Sequence, residues 1–328
     1  MKKICLVLSL LLLLSSCGAK PHSRTLFLMD TVMQLTVYGD DAEDALAESE
    51  QILAEYDRAC SPTEGETPAL NQAQGGALSP ILGDVLAQSL ALSEETNGAF
   101  DPALGRLIAL WQAQTVPDTA ALSAAKRASG HDKVSLSADR SSLTLRDGAT
   151  LHFGAIAKGA ASDALYRALT ARGIKSAILS LGGNVVALGA KPDGSDWTVG
   201  VRDPDGGEND YLATIPVTDR FVVSSGDYER FFEQDGVRYH HILDPKTGYP
   251  AQNDLRSTVI VAKNGAMADA YSTALFVMGS AAALDFWRAH SADFELILIL
   301  KNKKIIVSEG LSGFRLTNGA YTYEVAHR

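Results

Sequence analysis

The sequence predicts an α+β fold built as a single domain, and three observations lead to that prediction. Stretches rich in β-branched residues alternate irregularly with segments of helical periodicity, which favours α+β over a doubly wound sheet. Hydrophobic residues make up 46% of the 328 residues and charged residues 21%, enough apolar material for a sizeable core. No composition shift marks a linker, so residues 26–328 are assigned to one domain.

The N-terminal segment has the pattern of an export signal. Two lysines precede an apolar run from Ile4 to Leu14, which is short for a membrane span. The LSSC sequence ending at Cys17 resembles a bacterial lipobox, and this implies cleavage before Cys17 and lipid on its thiol. We expect a signal peptide over 1–16, a lipidated tether over 17–25, and a membrane-anchored domain facing the periplasm or the extracellular side. A secretory signal with a chance cysteine is the alternative.

Charge and cysteine content narrow the function classes. The formal net charge is −10 and no basic run occurs, so nucleic acid is not an expected partner. Of the three cysteines, Cys5 leaves with the signal and Cys17 would carry lipid. Cys60 then has no disulfide partner, and we expect a buried, idle thiol rather than a nucleophile.

Elements of the N-terminal half follow from periodicity and capping signals. Leu26–Tyr38 is rich in β-branched and apolar residues and predicts one strand. Asp41–Arg58 has one apolar helical face, and residues 61–76 read as a loop. Pro80 predicts the first turn of a helix that ends near Thr96, and a small exposed helix follows within 117–130.

Elements of the C-terminal half alternate between glycine-broken strands and helices. The pattern predicts short strands over 134–153, a helix over Lys158–Arg172, and strands within 174–207. Asp235-Gly236 predicts the turn of a hairpin within 231–243. A strand over 257–265, a helix over Ala266–Gly279, and a further helix and strands complete the chain.

Two segments have residues suited to an anion and a hard cation. In LHFGAIAKG a strand ends at Phe153 and Lys158 enters a helix, so free N–H groups and a lysine charge could bind phosphate. A purely structural turn is the alternative. Asp269 and Thr273 are four apart on one helical face, and oxygen ligands of this kind suit Mg²⁺. A helix-dipole role for Asp269 is the alternative.

His240 and His241 raise the question of a metal site. Adjacent residues on a strand face opposite sides, and no cysteine or third histidine lies at zinc spacing. The pair is therefore not a zinc site, and one histidine can face a cleft while Asp244 fixes the turn. Trp111 offers a flat ring that could stack on a flavin or purine, with core packing as the alternative.

The order and combination of motifs resemble the ApbE family, the FAD:protein FMN transferases. These pieces run through nearly all of the chain beyond the signal: MDT at 29–31, FDPALG at 100–105, FGAIAKG at 153–159, LGGN at 181–184, SSGDYERFF at 224–232, HILDPKTGYP at 241–250 and ADAYSTALFVMG at 268–279. The resemblance implies one α+β domain with an FAD and metal cleft between sub-lobes. It also implies Mg²⁺-dependent transfer of FMN from FAD to a Ser or Thr hydroxyl of a target protein, with release of AMP.

The resemblance assigns roles to particular residues. His241 corresponds to the histidine beside the scissile phosphates, and it is expected to act as general base. The expected metal ligands, for Mg²⁺ or alternatively Mn²⁺, and the expected FAD contacts form a larger set: Ala155, Asp269, Ser272 and Thr273 for the metal, and Met29, Trp111, Gln112, Ala113, His152, Lys158 and Leu243 for FAD.

The sequence departs from the family pattern at several of these positions. Ser272 stands where relatives often have a further acidic ligand, and Gln112 and Ala113 where they often have Gly and an aromatic. His152 replaces an aspartate, and the loop at Ser61 lacks an aromatic that covers the flavin. An FAD pyrophosphatase that yields FMN and AMP, and a non-catalytic FAD-binding lipoprotein, are therefore the alternative functions.

Overall fold

A computed structural model describes residues 20–207 and 209–328. The predicted signal peptide, Cys5 and Cys17 lie outside the described residues. Eight helices are described: α1 Ala42–Cys60, α2 Glu66–Ala73, α3 Pro80–Glu95, α4 Gly105–Trp111, α5 Thr119–Arg127, α6 Ala157–Ala171, α7 Gly265–Met278 and α8 Ser280–Ala289.

Seventeen strands belong to one large and three small sheets. Their bounds are β1 Pro21–Leu28, β2 Thr31–Tyr38, β3 Gly75–Ala77, β4 Val134–Leu136, β5 Ser142–Leu145, β6 Ser176–Leu181, β7 Asn184–Leu188, β8 Trp197–Arg202, β9 Tyr211–Val217, β10 Arg220–Gly226, β11 Phe231–Gln234, β12 Val237–His240, β13 Leu255–Ala262, β14 Phe294–Leu300, β15 Lys304–Ser308, β16 Arg315–Leu316 and β17 Thr322–Ala326. The predicted α+β class is confirmed.

The large sheet has nine strands in the order β1-β2-β6-β7-β10-β13-β14-β15-β17. Every neighbouring pair is antiparallel except β15 and β17, which are parallel. Helices α1, α6 and α7 pack on one face, and the small sheet β16-β9-β8 packs on the other. Because both faces are covered, the central strand β13 is buried almost throughout instead of alternating between buried and exposed residues.

Helices α6 and α7 approach each other unusually closely at their N-terminal ends. A Cβ on Gly159 would lie 2.2 Å from the Gly265 carbonyl oxygen and 2.6 Å from the Asp269 Cβ. Each helix also supplies an acid to the other: the Asp163 carboxylate accepts from the N–H of Gly265 and Ala266 at 2.6 and 2.9 Å. In the opposite direction, Asp269 of α7 accepts a hydrogen bond from the N–H of Gly159 in α6 at 2.8 Å. These reciprocal caps satisfy N–H groups that a helix start leaves unpaired.

The predicted single strand over Leu26–Tyr38 is wrong, because a turn divides it. Strands β1 and β2 form a hairpin, and Met29 and Asp30 occupy its turn with φ of +51° and +55°. Two positive φ angles fit the right-handed twist of a hairpin, but such turns usually contain Asn or Gly. Because neither Met29 nor Asp30 is Asn or Gly, the turn could not be recognised from the sequence. Strand β1 begins at Pro21, so residues 21–25 of the predicted 17–25 tether form part of a strand.

One further element was missed and others are confirmed. Residues 61–76, predicted as a loop, contain α2. Its Pro68 lies in the first turn, where a missing N–H costs nothing. The start of α3 at Pro80 is confirmed, with the Ser79 hydroxyl accepting from Leu82 N–H. The hairpin turn at Asp235-Gly236 is confirmed between β11 and β12.

Within the described ranges, no helix combines the length and apolar character needed to cross a membrane. Cys60 is buried and free, as predicted. Burial raises the pKa of the Cys60 thiol to about 12, so the thiol is protonated at neutral pH and is a poor nucleophile.

Candidate active site

Loops at the ends of the central strands surround a cleft of about 440 Å³. Its wall is built from the β1–β2 turn, the end of α4, the start of α6, the β6–β7 turn, the end of β10, the β11–β12 hairpin with the segment after it, and α7. The nine-stranded sheet and the α6–α7 pair therefore deliver residues that are far apart in sequence to one space.

The predicted metal ligands Ala155, Asp269 and Thr273 all line this cleft, and we call their neighbourhood the carboxylate end. Asp269 is 5% exposed. Burial raises the pKa of the Asp269 carboxyl, while the charge of Lys158 and the Gly159 N–H oppose that rise. A buried carboxylate of this kind is stabilised by a cation.

The donor set at the carboxylate end fits a hard cation such as Mg²⁺ or Mn²⁺ better than Zn²⁺. A carboxylate, a hydroxyl and a backbone carbonyl supply oxygen atoms only, and Mg²⁺ binds such groups together with water and substrate phosphate. In residues 20–207 and 209–328, no group of three or more His, Cys, Asp and Glu side chains could hold a metal ion. The buried Asn184 amide lies beside Asp269 and also opposes the rise in the pKa of this carboxyl.

Ser272, predicted as a further metal ligand, does not reach the cleft. Its side chain is fully buried. Its hydroxyl lies 2.8 Å from the Asp269 carbonyl, to which it donates, and 2.7 Å from the Ser225 hydroxyl. The helical phase that brings Asp269 and Thr273 to one face turns Ser272 into the core. The geometry therefore does not support a ligand role for Ser272.

His241 also lines the cleft, and we call its neighbourhood the histidine end. Its Nδ1 is 3.3 Å from the Arg230 carbonyl oxygen. Since a carbonyl oxygen can only accept, Nδ1 carries the proton and Nε2 keeps a free lone pair. The ring stays open to the cleft, while protein around its other sides lowers the pKa of His241 to about 4. At neutral pH, His241 is therefore an unprotonated base with a fixed tautomer.

His240 has a different environment, as the strand geometry predicts. It is 6% exposed, and its Nε2 donates to the Ala251 carbonyl at 2.9 Å. Its Nδ1 accepts from the Ile242 N–H at 3.3 Å. Both ring nitrogens are engaged inside the protein, so His240 holds the segment in place and has no free nitrogen for a substrate.

His152 and Lys158 also line the cleft. The His152 Nδ1 accepts from the Gly154 N–H at 3.1 Å, so the proton of the neutral ring is on Nε2. Burial, followed by the charges of Arg230 and Lys158, lowers the pKa of His152 to about 4. His152 is therefore a neutral hydrogen-bond donor at the histidine end.

The remaining predicted FAD contacts divide into two groups. Met29, Gln112 and Leu243 line the cleft, whereas Ala113 is exposed outside it.

Trp111 lines the cleft but is only 6% exposed, and its Nε1 donates to the Gly248 carbonyl at 2.8 Å. The Trp111 ring packs against the aromatic rings of Phe232, Tyr239 and Tyr249. Trp111 therefore supports the cleft wall and does not offer a free stacking face. The loop at Ser61 does not line the cleft either.

Comparison with known proteins decides the family. The profile described as "ApbE family" matches residues 29–298, which is most of the chain. The chain belongs to the ApbE family. A Treponema pallidum protein named FAD:protein FMN transferase is 34% identical over 90% of each chain. An ApbE protein from Thermotoga maritima has a TM-score of 0.80 and 30% identity, covering 89% of this chain and 98% of that one. The flavin transferase ApbE from Vibrio cholerae has a TM-score of 0.77 and 25% identity, covering 86% and 94%.

Within this ApbE-family cleft, the sequence interpretation missed three polar residues. Arg230, Asn184 and Ser225 line the wall, although each lies inside a quoted motif. Arg230 lies in the SSGDYERFF motif at 224–232. The adjacent Glu229 does not pair with it, because Glu229 pairs with Arg202 at 3.0 Å. Only the tertiary fold reveals which acid a basic residue meets.

Proposed function

We propose that this protein transfers the FMN part of FAD to a Ser or Thr hydroxyl of a target protein and releases AMP. The observation that carries the proposal is the free Nε2 of His241 in the same cleft as Lys158 and the oxygen ligands of the carboxylate end. Phosphoryl transfer needs a positioned nucleophile and neutralised phosphate charge more than any special covalent chemistry.

The proposed step assigns a distinct task to each end of the cleft. The acceptor hydroxyl attacks the phosphorus of the FMN phosphate, and its proton moves to Nε2 of His241. The bond from this phosphorus to the bridging pyrophosphate oxygen breaks, and AMP leaves with the bonding electrons. Lys158 and the N-terminal end of α6 hold negative phosphate oxygens in place.

Asp269, Thr273 and the Ala155 carbonyl would hold Mg²⁺ in this proposal. The bound ion would neutralise charge that grows on the leaving phosphate. Asp269 is suited to this role because it is a buried carboxylate whose charged form needs a cation. Its Oδ2 is fixed by the Gly159 N–H, which orients the carboxylate before any ligand binds.

Product analysis with the full-length chain tests the function. The chain is incubated with FAD, Mg²⁺ and a protein acceptor bearing a Ser/Thr flavinylation site, and the acceptor mass, AMP and free FMN are measured. A gain of one FMN residue on the acceptor, matched by one AMP, is expected. Free FMN and AMP with an unmodified acceptor would identify an FAD pyrophosphatase instead. Bound FAD with no AMP would identify an FAD-binding protein.

We further propose that lipid on Cys17 holds the enzyme at the outer side of a bacterial membrane. The support is the LSSC sequence after a short apolar run. Only residues 18–20 separate Cys17 from Pro21, where β1 begins, so the catalytic domain would lie close to the bilayer. Membrane fractionation of the wild type and Cys17→Ala tests this: the wild type should sediment with membranes and the variant should not. Equal distribution of both would refute the anchor.

A further inference from the structure

Arg230 faces the cleft with an unpaired guanidinium. In the part of the chain that the structure describes, no carboxylate or carbonyl accepts a hydrogen bond from its side chain; only its backbone carbonyl is engaged, by His241. Its neighbours behave differently: Arg202 pairs with Glu229 at 3.0 Å, and Arg238 pairs with Glu233 at 3.3 Å. A planar guanidinium without an acid partner is suited to bind a carboxylate or phosphate.

The groups around Arg230 at the histidine end are donors or cations. The neutral His152 ring presents Nε2–H, because its Nδ1 accepts from Gly154. The charges of Arg230 and Lys158 both act on the His152 and His241 rings, so each of these rings lies within electrostatic reach of both cations. Two cations and the His152 Nε2–H donor therefore complement an anion at this end of the cleft.

The carboxylates of the cleft do not neutralise this cluster. Asp101 accepts from the backbone N–H of His131 and contacts its Nδ1, each at 2.8 Å. Glu229 is held by Arg202, as described above. Asp269 lies at the carboxylate end, where Lys158 is the cation that opposes the rise in its pKa. The charge of Lys158 therefore acts on Asp269 and on the histidines His152 and His241, whereas the charge of Arg230 acts on the two histidines.

We propose that Arg230 and His152 form an anion-binding subsite for the pyrophosphate of the dinucleotide substrate, at the histidine end of the cleft. This inference rests on the proposed function, because it names residues for the same substrate. The pyrophosphate then lies between Arg230 and His152 on one side and the metal ligands on the other, with Lys158 reaching both. The guanidinium donates to phosphate oxygens, and His152 Nε2 adds a neutral donor.

Direct binding of nucleotides to the full-length protein tests the subsite without turnover. Calorimetry compares FAD, ADP and adenosine for the wild type, Arg230→Gln, Arg230→Lys and the matched control Arg238→Gln. Arg238 also lies on the β11–β12 hairpin, but it is paired and does not line the cleft. Arg230→Gln should weaken FAD and ADP by about tenfold or more, because a charge-assisted hydrogen bond is lost. Adenosine, which lacks phosphate, should bind equally, Lys should restore part of the affinity, and Arg238→Gln should match the wild type.

His152 gives an independent measurement of the same subsite. His152→Gln keeps a donor and should retain most of the ADP affinity, whereas His152→Leu should lose about threefold to tenfold. Thermal unfolding of each variant establishes that the protein is folded before affinities are compared.

Three results would contradict either the proposed subsite or the proposed function, and each shows which of the two is wrong. Unchanged FAD and ADP affinity in Arg230→Gln, with a raised KM for the acceptor protein, would overturn the subsite and assign Arg230 to the acceptor. Equal loss of adenosine affinity would also overturn it, because the effect would not depend on phosphate. Failure of the wild type to bind FAD or ADP at all would refute the proposed function itself.

Discussion

The carboxylate end and the histidine end of the cleft differ in what holds them in place. Asp269 is fixed by the core: it is almost fully buried, and its carboxylate is bonded to the backbone of α6. His241 is fixed by a single carbonyl on a segment beside the two-stranded β11–β12 hairpin, and its ring stays open to the cleft. Under the proposed function, a buried wall would hold the metal ion, and the proposed base would lie on an accessible rim where the acceptor protein enters.

This contrast implies different consequences of mutation at the two ends. At the carboxylate end, the proposed metal binding requires a buried charge, so function and stability should oppose each other there. At the histidine end, activity can be lost without loss of stability. The following changes test that contrast, from the largest expected effect to the smallest.

Asp269→Asn should lower transfer by about a thousandfold or more, because the charged metal ligand is removed. The same variant, without metal, should be more stable than the wild type at neutral pH. Burial raises the pKa of Asp269, so the folded state binds more protons and the wild type loses stability as pH rises through the ordinary carboxyl range. Thermal unfolding from pH 3.5 to pH 8 checks this: the difference should grow with pH.

Metal addition provides the control for that experiment. Mg²⁺ should raise the melting temperature of the wild type and leave Asp269→Asn unchanged. A variant that is less stable than the metal-free wild type at every pH would show that Asp269 serves mainly as a structural cap.

Thr273→Val should weaken Mg²⁺ binding by about tenfold to a hundredfold, whereas Ser272→Ala should change it by less than about threefold. Thr273 lines the cleft, but the Ser272 hydroxyl is engaged with Ser225 and the Asp269 carbonyl. Ser272→Ala should instead cost about 1 kcal/mol of stability, since buried hydrogen bonds are lost. Metal titration followed by thermal shift measures both, and a larger metal effect from Ser272→Ala would restore Ser272 as a ligand.

Gly159→Ala should destabilise the protein by about 1–3 kcal/mol, because the added methyl forces α6 away from α7. The shift would also move Asp269, so Mg²⁺ affinity should fall together with stability. Gly319→Ala is the matched control, since its Cβ would meet nothing within 4 Å. Chemical denaturation measures both variants; if Gly159→Ala were neutral, the close helix contact would not fix the carboxylate end.

Asp30→Gly should stabilise the protein slightly, by roughly 0.5–1 kcal/mol, because φ of +55° costs glycine nothing. It should leave transfer unchanged, since Asp30 does not line the cleft. Denaturant midpoints measure the effect. A loss of stability would mean that the Asp30 side chain contributes more to the β1–β2 turn than its backbone angle costs.

The sequence predicted the cleft residues whose role depends on local spacing. Asp269 and Thr273 share a helical face, and His240 and His241 alternate on a strand, so their opposite environments follow from elementary geometry. The buried position of Ser272 follows from the same helical phase, yet the family pattern favoured a ligand there. Ala113 does not line the cleft, because similarity in sequence position does not determine the direction in which the chain leaves the end of α4.

Other features required tertiary structure. The β1–β2 turn has no Asn or Gly, so the residue types of Met29 and Asp30 do not predict their positive φ angles. The close contact of Gly159 and Gly265 joins residues 106 positions apart. Among the described residues, the Arg230 guanidinium has no acidic partner, because the neighbouring Glu229 pairs with Arg202 instead. Pairing of charges between distant segments is not encoded in local composition.

The most direct test of the account compares His241→Gln with His240→Gln, using the full-length chain, FAD, Mg²⁺ and the acceptor protein. Intact mass of the acceptor reports transfer, and FAD titration reports binding. His241→Gln should lose transfer by about a hundredfold or more while it binds FAD like the wild type, because only the proton acceptor is removed. His240→Gln should keep transfer per folded molecule and lose stability. Normal transfer by His241→Gln, or selective loss of transfer in His240→Gln, would contradict the assignment of His241 as the base.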